Sequence, residues 1–480
     1  MNRKLIVKII GTILCIEAAC MLCPLLVSVL FRSTDVYAFV GAVAACLAVG
    51  LPLRFLPKTD KSRLQTRDGF ACVALCWIFL SLFGALPYFF AGTPYVDAVF
   101  ETVSGLTTTG ASIFPSPSAL PKGLQLWRAL TQWMGGMGIL VMVLALFPSV
   151  GRGSMNLMKA ESPGPISTKL RPKTNETARI LYGIYLALTA AETLGLRIAG
   201  LPWFDSVTTS LTTISTGGFS VRDESIAYYQ SEAVVWIVIA FMFLSAVNFA
   251  LLFLAVRGQW RDALKSEELR VYAGVSLGVT ALITLNLVLR AGQAVYSSFS
   301  QAAFQVVSLM TTTGFITADF DLWPRTSRVL LLLVMLVGGC AGSTAGGVKV
   351  SRVIVQCKSL RRELRRILHS REVHPICLEG QRVEETTVSA VSMFFFAYVC
   401  ILLLCALLVS LDEISFTAAF SAALTAISNV GPGLAELGPT QNFAFLSSMS
   451  KVALSVTMLL GRLEIMPLLV LLFPSVWRSK

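Results

Sequence analysis

The stretch DAVFETVSGLTTTGAS (residues 97–112) is too short and too polar to cross a bilayer, yet it lies between two apolar runs that could. Crossing takes about 20 residues of helix, so a short helix ending in Thr107, Thr108, Thr109 and Gly110 is predicted to enter and turn back. The unit recurs as DSVTTSLTTISTGGFS (205–220), SQAAFQVVSLMTTTGFI (300–316) and SFTAAFSAALTAISNVGPG (415–433). Its closing glycines, Gly110, Gly217, Gly314 and Gly431, are spaced 107, 97 and 117 residues apart. One structural unit has been used four times. Irregular backbone at membrane depth survives only when buried in protein or lining water, so four such loops are predicted to surround one axis and form a pore.

The residue types in the loops suit a cation. Asp97 and Asp205 are predicted to cap the first two short helices, whose carbonyl ends then face the centre, where negative partial charge attracts a cation. Thr107, Thr108 and Thr109 favour extended backbone and Gly110 permits the torsions that redirect a carbonyl. A ring of carbonyl oxygens can replace the hydration shell of an ion such as potassium. The same register is assigned to Ile214, Ser215, Thr216 and Gly217, to Thr311, Thr312, Thr313 and Gly314, and to Ser428, Asn429, Val430 and Gly431. A single TTTG reads as a surface turn; four of them, each between two apolar runs, read as a site. With no acidic residue inside the signatures, a carboxylate ring of the calcium type is excluded.

The rest of the chain agrees. Its 480 residues are 55% hydrophobic and 14% charged with a mean hydropathy of +0.73, far from the roughly 25% charge of soluble proteins. Apolar runs occur at 5–31, 36–56, 69–91, 126–148, 179–200, 233–256, 271–289, 329–357, 386–411 and 447–473. An all-α polytopic protein with ten transmembrane helices is predicted. The first run is too long for the apolar core of a signal peptide. The loops at 57–68, 149–178, 257–270 and 358–385, with their flanks and the termini, hold 29 of the 39 Lys and Arg. Both termini are therefore expected to be cytoplasmic in a multi-pass inner-membrane protein. That asymmetry accounts for the net charge of +12 without nucleic acid. The cluster Arg361, Arg362, Arg365, Arg366 and Arg371 either serves orientation or docks a regulatory ring or anionic headgroups. Eleven cysteines without metal spacing and two histidines, His369 and His374, in one basic loop leave little for catalysis, and the chain is expected not to be an enzyme and to carry no cofactor. Boundaries are placed at 1–67 for two N-terminal helices, 68–150, 151–257 and 258–357 for the first three pore repeats, and 358–480 for the basic loop and the fourth.

Equal offsets from the four glycines mark equal depths. Small or polar residues recur there: Gly135, Gly136 and Gly138; Ser245 and Asn248; Gly339, Gly342, Ser343 and Thr344; Gly461 and Arg462. The segment Gly338, Gly339, Gly342, Ser343, Thr344, Gly346 and Gly347 holds too many glycines for a continuous helix at about 1 kcal/mol each, so a loop inside the third repeat's second helix is predicted. It lacks the Gly-Lys pair of a phosphate loop. Arg462 is a strong charge deep in the last run. Either it faces the cavity beside this loop or it pairs with Glu192 or Glu17 from another helix.

The segments WMGGMG (133–138), ISTGGFS (214–220), GGCAGSTAGGVKVSR (338–352) and GRLEI (461–465), with the four repeats, resemble the TrkH type of the Trk/Ktr/HKT superfamily of potassium transporters over essentially the whole chain. The two N-terminal helices match TrkH-like members and are lacking in shorter Ktr-type ones. The resemblance implies potassium as the permeant ion and a homodimer with one pore per subunit. It implies selectivity set by the four glycines, a gating loop at 338–347 and cytoplasmic nucleotide-binding partners of the TrkA type. Members with Ser at the first glycine tend to admit sodium; this chain has Gly110. The fourth signature, with Asn429 and Val430, departs most from TTTG. The alternative is a secondary transporter of another small substrate that uses broken helices near the midplane.

Overall fold

The computed structural model describes residues 3–55, 66–138, 174–369 and 374–474. The second half of the run at 126–148, most of the loops at 57–68 and 149–178, and Arg371 lie outside the described residues. Among the described residues the elements are helices joined by loops, apart from a hairpin of two two-residue strands, β1 (Cys377–Leu378) and β2 (Gln381–Arg382).

Helices α1 (Arg3–Leu30) and α2 (Val36–Phe55) pack against each other, and α1 also lies on α3 (Thr66–Gly84). A short α4 (Leu86–Phe90) leads into α5 (Tyr95–Leu106), the first of the four short helices expected to surround a pore and called pore helices on that expectation, and the chain returns as α6 (Lys122–Gly136). The second unit is α7 (Thr174–Ile198), pore helix α8 (Trp203–Ile214), then α9 (Glu232–Ser245) and α10 (Phe249–Val256), with α11 (Trp260–Leu264) after them. The third is α12 (Glu267–Ala291), pore helix α13 (Val295–Met310), α14 (Arg325–Val337) and α15 (Val350–Leu368). The fourth is α16 (Glu385–Val409), pore helix α17 (Phe416–Ser428), α18 (Ser448–Arg462) and α19 (Met466–Leu471). Among the described residues, five helices are long and apolar enough to cross a membrane, and the bent pair α9 and α10 makes a sixth if counted as one span. Long helices that are apolar on every face must be surrounded by protein or lipid.

Three expectations are corrected. The run at 233–256 is not one straight helix: it bends by 105° between Ser245 and Phe249. Its freed backbone is filled by another segment, since Cys340 N–H donates to Ala246 O at 2.9 Å and Phe249 N–H to Gly342 O at 3.0 Å. The basic stretch expected as loop from 358 is helical through Leu368, because Arg, Leu and Glu are strong helix formers. Asp97 and Asp205 do not cap their helices. Pro94 and Pro202 hold those positions without side-chain caps, and each aspartate lies within the first turn. Asp97 instead pairs with Lys451 at 2.7 Å, and Asp205 with Arg222 at 2.8 Å.

Candidate functional site

Each pore helix ends in a loop whose second residue is left-handed: Thr108 (φ 56°), Thr216 (55°), Thr312 (58°) and Asn429 (56°). Two residues on, a glycine is again left-handed: Gly110 (82°), Gly218 (79°), Gly314 (82°) and Gly431 (104°). The N–H between them reaches back to the helix at 2.8 to 3.0 Å each time, from Thr109 to Ser104, Gly217 to Thr212, Thr313 to Ser308 and Val430 to Thr425. The equivalent of Gly110 in the second unit is therefore Gly218, and that loop reads Ser215, Thr216, Gly217, Gly218. The register predicted for it, beginning at Ile214, is one residue early. The doublet Gly217-Gly218 offers two candidates, and only the backbone torsions choose between them.

The loops touch in cyclic order. A Cβ added at Gly110 would overlap the carbonyl oxygen of Gly217, one at Gly218 that of Thr313, and one at Gly314 that of Val430. One at Gly431 would come within 2.7 Å of the Thr109 carbonyl oxygen. The ring closes, with Thr107, Thr108, Thr109, Ile214, Ser215, Thr216, Thr311, Thr312, Thr313, Ser428, Asn429 and Val430 all buried. Threonine side chains are tied sideways, Thr107 to Thr109 and Thr311 to Thr313, each at 2.8 Å between hydroxyls. Above the ring a small hollow of about 120 Å³ is bounded by residues from all four units, Gly110, Gly218, Gly314 and Gly431 among them.

Several buried polar residues hold this ring, and of them sequence reading named only Asn429. Arg128 and Glu101 form a fully buried pair at 2.7 Å. Glu101 also accepts from Ser112 Oγ and from Ile113 N–H, and Arg128 donates to Ser220 O at 3.0 Å, so the pair ties the backbone after loop one to that after loop two. Gln132 donates to Gly217 O at 2.6 Å and accepts from Phe219 N–H at 3.0 Å. Asn429 donates to Thr109 Oγ1 at 3.0 Å and Met458 O at 2.9 Å, joining the fourth loop to the first. The available signal was charge and amide in otherwise apolar repeats, since such groups are buried only with partners.

Below the ring, α6, α9, α14 and α18 end at one level, at Gly136, Ser245, Val337 and Arg462. Residues 338–349 form the predicted intramembrane loop, with left-handed Gly338, Gly342, Gly347 and Lys349. Its tip lies against the underside of the ring: Gly346 N–H donates to Thr312 Oγ1 at 2.7 Å and Thr344 Oγ1 to Ile214 O at 3.1 Å. Gly346 is also packed so closely on the Ser428 carbonyl that a Cβ would not fit. Gly339 packs against Ala246, and Ser343 donates to Cys340 O at 2.6 Å. Arg462 donates to Thr344 O at 2.8 Å and to Gly135 O and Gly136 O at 2.5 and 2.6 Å. No ion pair joins it to Glu17 or Glu192 among the described residues, so that alternative is set aside; Glu464 pairs with Arg352. Glu268 was also missed: one carboxylate oxygen accepts from Ala341 N–H at 2.7 Å and Ser351 N–H at 3.1 Å, holding both limbs of the loop. A cavity of about 80 Å³ beneath is lined by Gly342, Gly346, Lys349, Arg462 and Glu464. Chemically the arrangement offers carbonyl and hydroxyl oxygen above and fixed positive charge below, with no catalytic group between.

A family model described as TrkH, cation transport protein, matches residues 36–263 and 275–478. The chain is 39% identical over 495 residues, covering 100% of both proteins, to the Trk system potassium uptake protein TrkH of Vibrio parahaemolyticus. It is 38% identical over 492 residues, again 100% of both, to the TrkH protein of Escherichia coli K12, and 30% identical over 481 residues, 99% of both, to the TrkG protein of that strain. Its fold matches the crystal structure of the potassium transporter TrkH from Vibrio parahaemolyticus with a TM-score of 0.89 and 37% identity over 100% of both chains.

Proposed function

Because this chain belongs to the TrkH family of cation transport proteins, we propose that it is a potassium uptake protein of the cytoplasmic membrane, with ten spans and four pore repeats. The observation that carries this reading is the closed ring of four equivalent loops. Carbonyl oxygens of Thr107 to Gly110, Ser215 to Gly218, Thr311 to Gly314 and Ser428 to Gly431 replace the water around a dehydrated monovalent cation, a size and charge match that carbonyl rings provide. The C-terminal ends of α5, α8, α13 and α17 point their carbonyls to the same centre and lower the cost of the cation there.

The loop at 338–349 stands in the path directly under the ring, and Arg462 fixes it through Thr344 while placing positive charge beside it. A cation meets both a steric block and repulsion that grows as the local dielectric falls. Displacing the loop, whose glycines tolerate a second conformation, opens the path. Both termini are cytoplasmic, the protein is a homodimer with one pore per subunit, and TrkA-type nucleotide-binding subunits on the cytoplasmic side control the loop. Purified protein in liposomes is expected to carry rubidium and potassium and to restore growth on limiting potassium to a host lacking its own uptake systems. Normal membrane insertion with no potassium-dependent flux and no rescue would overturn the reading.

A further inference from the structure

At the end of the molecule away from the ring, α15 and the hairpin enclose a pocket of about 260 Å³ lined by Lys358, Arg361, Arg362, Arg365 and His374. Two of its cations are already engaged. Lys358 pairs with Glu267 at 2.5 Å and donates to Cys377 O at 2.8 Å; Arg362 pairs with Glu385 at 2.6 Å. Arg361 and Arg365, one turn apart on α15, have no side-chain partner among the described residues. Two guanidinium groups a turn apart repel each other, and a planar fork of donors matches the bidentate geometry of a phosphate, as it does that of a carboxylate.

The depth of the pocket identifies the source of that phosphate. Glu267 and Glu385 are the first residues of the two membrane-length helices α12 and α16. The pocket lies at the level where both apolar spans begin, which is the headgroup layer. On the same helix Leu360, Leu364, Ile367 and Leu368 are 56 to 80% exposed at intervals of three and four residues, forming an apolar stripe alongside the arginines. A basic helix with such a stripe lies in the membrane interface, its apolar face among acyl chains.

We propose that this pocket binds the phosphate of an anionic phospholipid headgroup, held by Arg361 and Arg365 with the lipid chains along the Leu360 and Leu364 face. Native mass spectrometry of the full chain, with phosphatidylglycerol and phosphatidylcholine added in equal amount, tests it. Phosphatidylglycerol is expected to be retained preferentially, with retention falling about tenfold in R361Q/R365Q and staying unchanged in R366Q, which alters an arginine outside the pocket. The R361K/R365K pair, which keeps charge but loses the fork, is expected to fall between and serves should the glutamine variant fail to fold. Equal retention in all variants, or equal retention of the two lipids, would overturn the proposal. So would displacement of the lipid by millimolar inorganic phosphate, which assigns the pocket to a soluble ligand. Loss of a co-purifying soluble subunit in R361Q/R365Q with lipid retained would assign it instead to a protein. None of these readouts depends on ion flux.

Discussion

Asn429 is where the fourth loop departs from threonine, and its torsion angle supplies the reason. At φ 56° it occupies the conformation that Thr108, Thr216 and Thr312 hold in the other loops, one that asparagine tolerates better than a β-branched residue. Its amide then bridges Thr109 and Met458. Asn429→Thr keeps a small polar side chain but cannot reach both acceptors, so a stability loss of about 2 kcal/mol is expected, visible as a lower midpoint of thermal unfolding in detergent. An unaltered midpoint would show that the bridge contributes nothing. Gly110→Ser acts differently. The added Cβ overlaps the Gly217 carbonyl at a φ of 82°, so that oxygen must move. Bi-ionic reversal potentials should shift toward sodium, and an unchanged potassium preference would remove Gly110 from the proposed filter.

Among the elements, the loop at 338–349 is held by contacts to other segments rather than by a helical ladder of its own. Glu268 holds its two limbs through Ala341 and Ser351. In Glu268→Ala both N–H groups lose their acceptor, each at about 1 to 3 kcal/mol, so amide exchange across 338–351 should accelerate while that of α5 and α13 stays slow. Arg462→Ala removes the three carbonyl contacts and the charge together, and raised flux with unchanged selectivity is expected in liposomes. Combined with a shortened loop the effect should be less than additive, as for residues in one gate. Reduced flux at normal protein levels in the single variants would return Arg462 to a purely structural place. On the opposite face, Asp223 accepts from Ser118 N–H at 2.9 Å and from the Ser118 and Ser116 hydroxyls at 2.7 and 2.9 Å, joining the outer segments of units one and two. Partial burial pushes its pKa up, but these hydrogen bonds outweigh that and hold it below the usual carboxylate value. A depressed pKa means the link is intact above the ordinary aspartate range, near 4, and is lost only as pH falls through the lower, folded-state value. Protection of the Ser118 amide should therefore be constant from about pH 7 to pH 5 and vanish in Asp223→Ala.

At the scale of the whole molecule the ring must close between its first and last units, which lie more than 300 residues apart in the chain, as the Asn429 to Thr109 contact shows. Lys451 spans the same seam, donating to Asp97 at 2.7 Å and to Ala444 O at 2.9 Å. The lysine side chain is 6% exposed and that of Asp97 23%, so removing the lysine leaves a mostly buried carboxylate without its cation. Lys451→Met should lower thermal stability by more than the loss of an exposed pair, about 1 kcal/mol or less, whereas Lys265→Met at the exposed Asp262 pair should be nearly silent.

Composition and the fourfold signature were enough to determine that this chain is helical, lies in a membrane and has four short helices that each end in a Gly-containing loop, because bilayer thickness and backbone hydrogen bonding leave few other solutions. The glycine-rich interruption at 338–347 was legible for the same reason: so many glycines cannot continue a helix. What only the tertiary structure decided depends on partners distant in sequence. The one-residue shift in the second loop could not be read because Gly217 and Gly218 are alike until torsions distinguish them. The break after Ser245 arises because a loop from the next unit takes over its backbone hydrogen bonds. Asp97 and Asp205 look like caps locally, yet in each case a proline three residues earlier holds the cap position and a cation elsewhere claims the carboxylate. The partner of Arg462 likewise proved to be carbonyl oxygen of two other units, a choice made by packing in space rather than by any pattern along the chain.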